Sequence, residues 1–323
     1  MRVGIITYCR REDGHPGGVP KWAWYLKRAL LEGGHDVRHW AWADCAEPKL
    51  DGAPEYVKAE RLGKHVGSQV RDYDRIIVDG FWSCGLPEDA PVTVVCHGTW
   101  AGLAAACGGV KPELIAAQGA EYRRFPVVAV SQAAARQVRT YHGTDPVAVI
   151  PNGVDLEVFR PVEGEPNDPP VVLYAGKGYS KGENIVGSVA RLLEGEVSVE
   201  YLDAQIGMEA RAFQRGDGFL FPSRHEGDSY ALKEAAACGL PVVASAVGML
   251  ANERPAQIGE IVEGFEAQDY CAALERVLAR RESHQPRRWA EQHAGFDDFA
   301  GRWREYLGRQ TRRRDTAGGG CAP

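Results

Sequence analysis

The chain has 323 residues, of which 44% are hydrophobic and 25% charged, and it carries a net charge of −6. That length suits two domains of ordinary soluble composition. The charge gives no general bias toward nucleic acid, and no apolar run approaches the ~18 residues of a membrane span.

The N-terminus, MRVGIITYCRRED, has a short apolar run followed by charges. It lacks the apolar core of a signal peptide and reads as a first strand over 3–7, so a cytoplasmic protein is expected. Further β-branched or apolar runs follow at 35–42, 75–79, 92–96, 126–130 and 147–150. Such runs suit a parallel sheet buried on both faces. Helical patterns fill the gaps. The clearest opens at Gly17-Gly18-Val19-Pro20 and stops at Gly33-Gly34, with proline suited to the first turn and glycine to the end. Another starts at Ser131, a natural N-cap, and runs to about Tyr141. Asn152-Gly153-Val154-Asp155 reads as an interdomain turn.

The texture then changes. Arg160 to Pro170, RPVEGEPNDPP, has no period and reads as a linker. Alternation resumes with strands at 171–175, 197–202, 218–222, 241–245 and 260–263, and a helix over about 267–281. Two βαβ series imply an α/β chain of two doubly wound Rossmann-like domains facing across a cleft. The expected division is an N-terminal domain over 1–160, a linker over 161–170 and a C-terminal domain over 171–295. A C-terminal helix over 296–310 packing back on the N-terminal domain and a disordered tail over 311–323 complete it. The eight cysteines are scattered without a CxxC pair or a Cys/His cluster, so no metal site is expected.

Open α/β sheets bind ligands beyond the carboxyl ends of their strands. There the first domain offers Gly17-Gly18 at a helix start, and the second offers AGKGYSKGEN, with Lys177 and Lys181 beside a glycine turn. Backbone N–H groups and a helix dipole favour an anion at such places. The stretch PSRHEGDSYALKEAAACGLPVVAS, Pro222 to Ser245, adds two carboxylates. Glu226 lies in the approach loop, Asp228 or Ser229 would cap the helix, and Glu234 lies about one and a half turns in. Carboxylates accept hydrogen bonds from hydroxyls and repel phosphate. A ligand with a phosphate in the middle and hydroxyls at both ends fits, and a nucleotide sugar has that layout.

PSRHEGDSYALKEAAACGLPVVAS resembles the E-x7-E signature of retaining glycosyltransferase family 4, which has the GT-B fold. GGVPKWAWYLKRALLEGGHDV, VVCHGTW, VVAVSQAAARQV, VAVIPNGVDLEVFRP and AGKGYSKGENIV agree with that family in order, over roughly residues 3 to 248. The resemblance implies retaining, metal-independent transfer from a nucleotide-diphosphate sugar, UDP- or GDP-linked, to a hydroxyl acceptor, without a cofactor. It gives Glu234 the donor ribose, and Glu226 the transferred sugar, with the backbone of Gly227, Asp228 and Ser229 beside it. Lys177 and Lys181 would neutralise the diphosphate, which Gly17 and Gly18 would also touch, and His97 would lie near the sugar and acceptor. The catalytic set is thus His97, Lys177, Lys181 and Glu226. The chain departs from the family in having Lys177 where arginine is usual and Asp228 where an aromatic residue is usual.

Trp82 and Trp100 follow strand ends in the first domain and are candidate acceptor contacts. The acceptor class stays open: a small molecule, a glycan, a lipid or a modified DNA base, the last as in a phage-type DNA-base glycosyltransferase. The Arg-rich C-terminus (Arg302, Arg304, Arg309, Arg312, Arg313, Arg314) offers a membrane-surface or nucleic-acid contact. A nucleotide-sugar epimerase and a non-catalytic nucleotide-sugar-binding protein are the alternatives of other classes.

Overall fold

The structure is a computed structural model that describes residues 1–203 and 205–318, with side chains to 309. Its first half alternates β1 (Arg2–Thr7), α1 (Gly18–Glu32), β2 (Asp36–Ala41), α2 (Glu55–Val66), β3 (Arg75–Asp79) and β4 (Val92–Cys96). It continues with α3 (Trp100–Cys107), α4 (Pro112–Arg124), β5 (Val127–Ala129), α5 (Gln132–His142) and β6 (Ala148–Val149). The second half runs β7 (Val171–Tyr174), α6 (Glu183–Leu192), β8 (Ser198–Tyr201), α7 (Glu209–Phe213), β9 (Gly218–Phe221) and α8 (Tyr230–Ala237). It ends with β10 (Val242–Ser245), β11 (Gly259–Val262), α9 (Ala267–Ala279), α10 (Pro286–His293) and α11 (Phe296–Gly318). Every strand expected from the sequence is present, with ends displaced by a residue or two.

Two all-parallel sheets result, ordered β2-β1-β3-β4-β5-β6 and β11-β10-β9-β7-β8. In each, the first strand lies between the second and third, so the winding reverses there: at β1/β3 in one and β7/β9 in the other. β4 and β9 are buried along their whole length, which is why their sequences are apolar on both faces instead of alternating, Thr93 being the one polar residue. α1 buries Trp22, Ala23, Leu26, Ala29 and Leu30 against the first sheet. It stops where the Gly33 N–H reaches the Ala29 carbonyl.

Between β6 and β7 the Pro-rich stretch 160–170 forms no helix or strand. Asn167 fastens it, its Nδ2 donating to Asp217 Oδ2 at 2.8 Å. The chain crosses back near its end. α10 packs on α8, whereas α11 packs on α1, bringing Trp303 to within 6.3 Å of Trp22 and Tyr306 to Thr93. The turn at Asn152–Asp155 is where this return is fastened: Val154 N–H donates to Ala294 O at 2.7 Å, and Phe296 N–H to Val154 O at 2.9 Å. α11 continues past the boundary at 310 expected from sequence, as helical backbone to Gly318. Residues 319–323 of the expected tail, and the side chains of Arg312, Arg313 and Arg314, lie outside the described residues. Among the described residues no helix is long and apolar enough to cross a membrane.

Candidate active site

The carboxyl ends of both sheets open on one cleft of about 560 Å³ between the two halves, and both reversal points line it. After β1 the chain reaches Gly17, the N-cap of α1, with φ −61°. A Cβ on Gly18 would meet nothing within 4 Å, so the helix start is open to an incoming group. After β7 the chain turns through Gly176 and Lys181. Gly182 has φ 74° there, and a side chain would collide with the Pro222 carbonyl at 2.2 Å, so only glycine lets the two loops of the second reversal point approach so closely. After β9 the loop carries Glu226, and Ser229 caps α8, its Oγ accepting from the Leu232 N–H at 3.4 Å. The N-termini of α1 and α8 therefore both face the cleft.

Gly17, Gly18, His97, Lys181, Glu226, Gly227, Asp228, Ser229 and Glu234 all line it. Glu226 is paired with Lys181 and accepts from Ser223 Oγ at 3.0 Å. Glu234, 2% exposed, is paired with Lys21 of α1. Burial pushes the Glu234 carboxyl above its usual range, more than Lys21 draws it down. Glu209 shows the opposite balance. Burial raises it, but its hydrogen bond to Arg11, together with Lys21 at 3.9 Å, leaves it below the usual range.

Four expected residues are placed differently. Lys177 does not line the cleft; its Nζ rests 4.6 Å from the centroid of the Tyr201 ring, which does. The Asp228 carboxylate is committed elsewhere. Its Oδ2 accepts from Lys233 Nζ and from the Asn152 N–H, both at 2.6 Å, and burial raises its pKa despite Lys233. Asp228 thus ties the loop to the interdomain turn and is not the cap of α8. Trp82 is 4% exposed, packed between Phe81 and Tyr8, and does not line the cleft. Trp100 is half-buried at the start of α3 and packs against the core, with its backbone N–H donating to Gln118 Oε1 at 2.8 Å. These placements follow from packing: an indole next to two aromatic rings is worth more buried than exposed.

His97 stands at the end of β4, edge-on to Trp22 at 4.6 Å. Its Nε2 is buried without a hydrogen-bond partner and lies 3.9 Å from Asp79 Oδ1. Burial holds this imidazole down to about 3, and holds Asp79 up to about 7. Both are therefore inclined to the uncharged form. Asp79, Lys21, Arg11, Glu209 and Ser223 escaped the sequence reading. Lys21 had one signal: a lysine beside Trp22 on the face of α1 that must be buried.

The halves are in intimate contact across the cleft. Tyr25 stacks on Tyr230 at 5.8 Å, Ser131 Oγ donates to Gly227 O at 2.9 Å, and α3 packs on the turn Tyr179–Lys181. Among the described residues no group of three or more His, Cys, Asp or Glu is arranged to hold a metal ion.

Comparison with known proteins agrees with this architecture. The sequence model of Glycosyltransferase Family 4 matches residues 16–158, and that of Glycosyl transferases group 1 matches residues 156–280. A D-inositol 3-phosphate glycosyltransferase of Geodermatophilus obscurus is 30% identical over 198 residues, covering 46% of this chain and 44% of that protein. Its counterpart in Mycobacterium tuberculosis is 31% identical over 186 residues, covering 45% and 39%. The matches thus span less than half the length of these relatives. Sucrose-phosphate synthase from Thermosynechococcus elongatus superposes with a TM-score of 0.80 at 18% identity, over 98% of this chain and 99% of that one. Anabaena HepE in complex with UDP-glucose gives 0.66 at 16% identity, over 96% and 100%. Two glycosyltransferase sequence models thus match in tandem along the chain, and its two parallel sheets about one cleft are the GT-B fold.

Proposed function

We propose that the protein transfers a sugar from a nucleotide-diphosphate sugar to a hydroxyl acceptor, with retention at the anomeric carbon and without a metal. One observation carries the reading: the N-termini of α1 and α8, the carboxylates of Glu226 and Glu234 and the ammonium of Lys181 converge on a single cleft. The diphosphate sits between the tip of α1 at Gly17-Gly18 and Lys181. Lys177 reaches it by leaving the Tyr201 ring. Glu234 takes the ribose hydroxyls, and Glu226 takes hydroxyls of the transferred sugar beside the Gly227–Ser229 backbone.

Departure of the nucleoside diphosphate places negative charge on the β-phosphate. Fixed amide dipoles and ammonium groups stabilise that charge without reorganising, which is the work a metal ion does elsewhere. Glu226 is engaged by Lys181 and Ser223, an arrangement that suits a hydroxyl acceptor more than a nucleophile. Attack by the acceptor on the face the phosphate leaves, with the phosphate taking the acceptor's proton, accounts for retention. His97, uncharged beside the sugar, adds a hydrogen-bonding nitrogen to this face. UDP and GDP are the favoured leaving groups; the Anabaena structure with UDP-glucose supports the former.

The test is a panel of UDP-, GDP-, ADP- and dTDP-sugars, followed by binding and by slow donor hydrolysis. At least one donor should bind and be hydrolysed. Glu234→Ala should weaken its binding, and Lys181→Ala should lower turnover by on the order of 10²-fold. A chain that binds none of them, or two variants with unchanged kinetics, refutes the assignment.

A further inference from the structure

The cleft neutralises its own carboxylates, and one of the cations that does so comes from the opposite half. Lys21 stands one turn into α1, its N–H donating to Gly17 O at 3.1 Å. Side chains on a helix lean toward its N-terminus, so this ammonium sits on the Gly17-Gly18 side. It is 7% exposed and paired with Glu234, with the rings of Phe159 and Tyr230 at 5.8 and 5.9 Å. Glu209 lies 3.9 Å away but is already paired with Arg11, whose Nη1 is buried without a partner. Two cations and two carboxylates balance at this point.

Lys21 occupies Oε1 of Glu234 in a buried site, so ribose hydroxyls that take both oxygens of this carboxylate must compete with the ammonium. Neutral hydroxyls also do not compensate a buried ammonium for the loss of its counter-ion. The lysine therefore needs another anion. The nearest place for one is the tip of its own helix, where the donor reading puts the diphosphate.

Resting on that reading, we propose that Lys21 is a donor-phosphate ligand held in reserve on Glu234, exchanging from carboxylate to diphosphate as the ribose takes its place. The exchange makes the cleft select phosphorylated nucleosides. A bare nucleoside breaks the Lys21–Glu234 pair and gives the lysine nothing in return, whereas a nucleoside diphosphate keeps every charge matched. Lys21 belongs to the half that does not carry the other proposed phosphate lysines, so the exchange also links donor arrival to closure of the two halves.

The test is titration calorimetry of the full chain and its Lys21→Met variant with uridine, guanosine, adenosine, thymidine and their diphosphates. The wild type should bind one diphosphate far more tightly than its nucleoside. In Lys21→Met that diphosphate should weaken about tenfold and the nucleoside should tighten about tenfold, because the competitor for Glu234 is gone. Opposite signs are the signature; a merely structural lysine would weaken both. If Lys21→Met does not fold, Lys21→Gln, whose neutral amide holds Glu234 less tightly than an ammonium and cannot neutralise a diphosphate, should show the same opposed shifts, the one for the nucleoside being smaller. Parallel shifts, or none, overturn the role of Lys21 and leave the donor reading standing. Failure of every diphosphate to bind the wild type overturns the donor reading and this inference with it.

Discussion

Replacing Gly227 by alanine tests the closed cleft most directly. Gly227 has no positive φ, so its backbone would accept alanine without torsional strain. The obstacle is steric: a Cβ there would lie 1.9 Å from the His97 carbonyl oxygen, where real Cβ atoms keep at least 3.0 Å. The oxygen is backbone and the position of a Cβ is fixed by the backbone that carries it, one in each half, so no rotamer relieves the clash. Relief requires a separation of about 1.1 Å across the cleft mouth. That movement pulls the Gly227 carbonyl from Ser131 Oγ, now at 2.9 Å. Overpacking of this kind costs about 1–3 kcal/mol, and a shift near 1 Å in a reacting geometry costs on the order of 10²-fold in rate. The assay pairs thermal unfolding with donor hydrolysis. Gly301→Ala, in open space on α11, is the control that should change neither. Full activity and an unchanged melting temperature in Gly227→Ala would show that this loop does not touch His97, and the cleft geometry argued above would fail.

Lys233→Met leaves the Asp228 carboxylate buried without its counter-ion, both side chains being 1% exposed. The expected loss is about 3–5 kcal/mol by urea unfolding, with much of it regained in the Asp228→Asn/Lys233→Met double variant; a loss below about 1 kcal/mol would refute the pairing. Asp79 and His97 should give opposite pH signatures. Asp79, held up to about 7, contributes stability that is complete below its unfolded pKa of about 4 and lost as pH rises through about 7. His97, held down to about 3, contributes stability that is complete above its unfolded pKa of about 6.5 and lost as pH falls toward about 3. Asp79→Asn should therefore gain on the wild type as pH rises from 4 to 7.5, and His97→Asn should gain as pH falls below 6.5. Urea midpoints taken across pH 3 to 8 decide this, and slopes of the same sign in both variants would contradict the burial argument.

The local plan was written in the residues. VGIIT, VTVVC and GFLFP announce buried parallel strands because a strand covered on both faces must be apolar on both. Gly33, Ser131 and Ser229 mark helix ends through their own backbone and side-chain chemistry. The spacing of Glu226 and Glu234 about one helix start brings both to one cleft because loop and helix are contiguous. What tertiary structure decided are the pairings between distant parts. Lys21 meets Glu234 across 213 positions, Asn152 meets Asp228 across 76, and Lys177 meets the Tyr201 ring instead of the cleft. Trp82 was equally suited to lining the site or to packing, and neighbouring rings claimed it. A carboxylate's character depends on what is brought against it and on how much water is removed. Those conditions arise only when the two halves close, so no local pattern carries them.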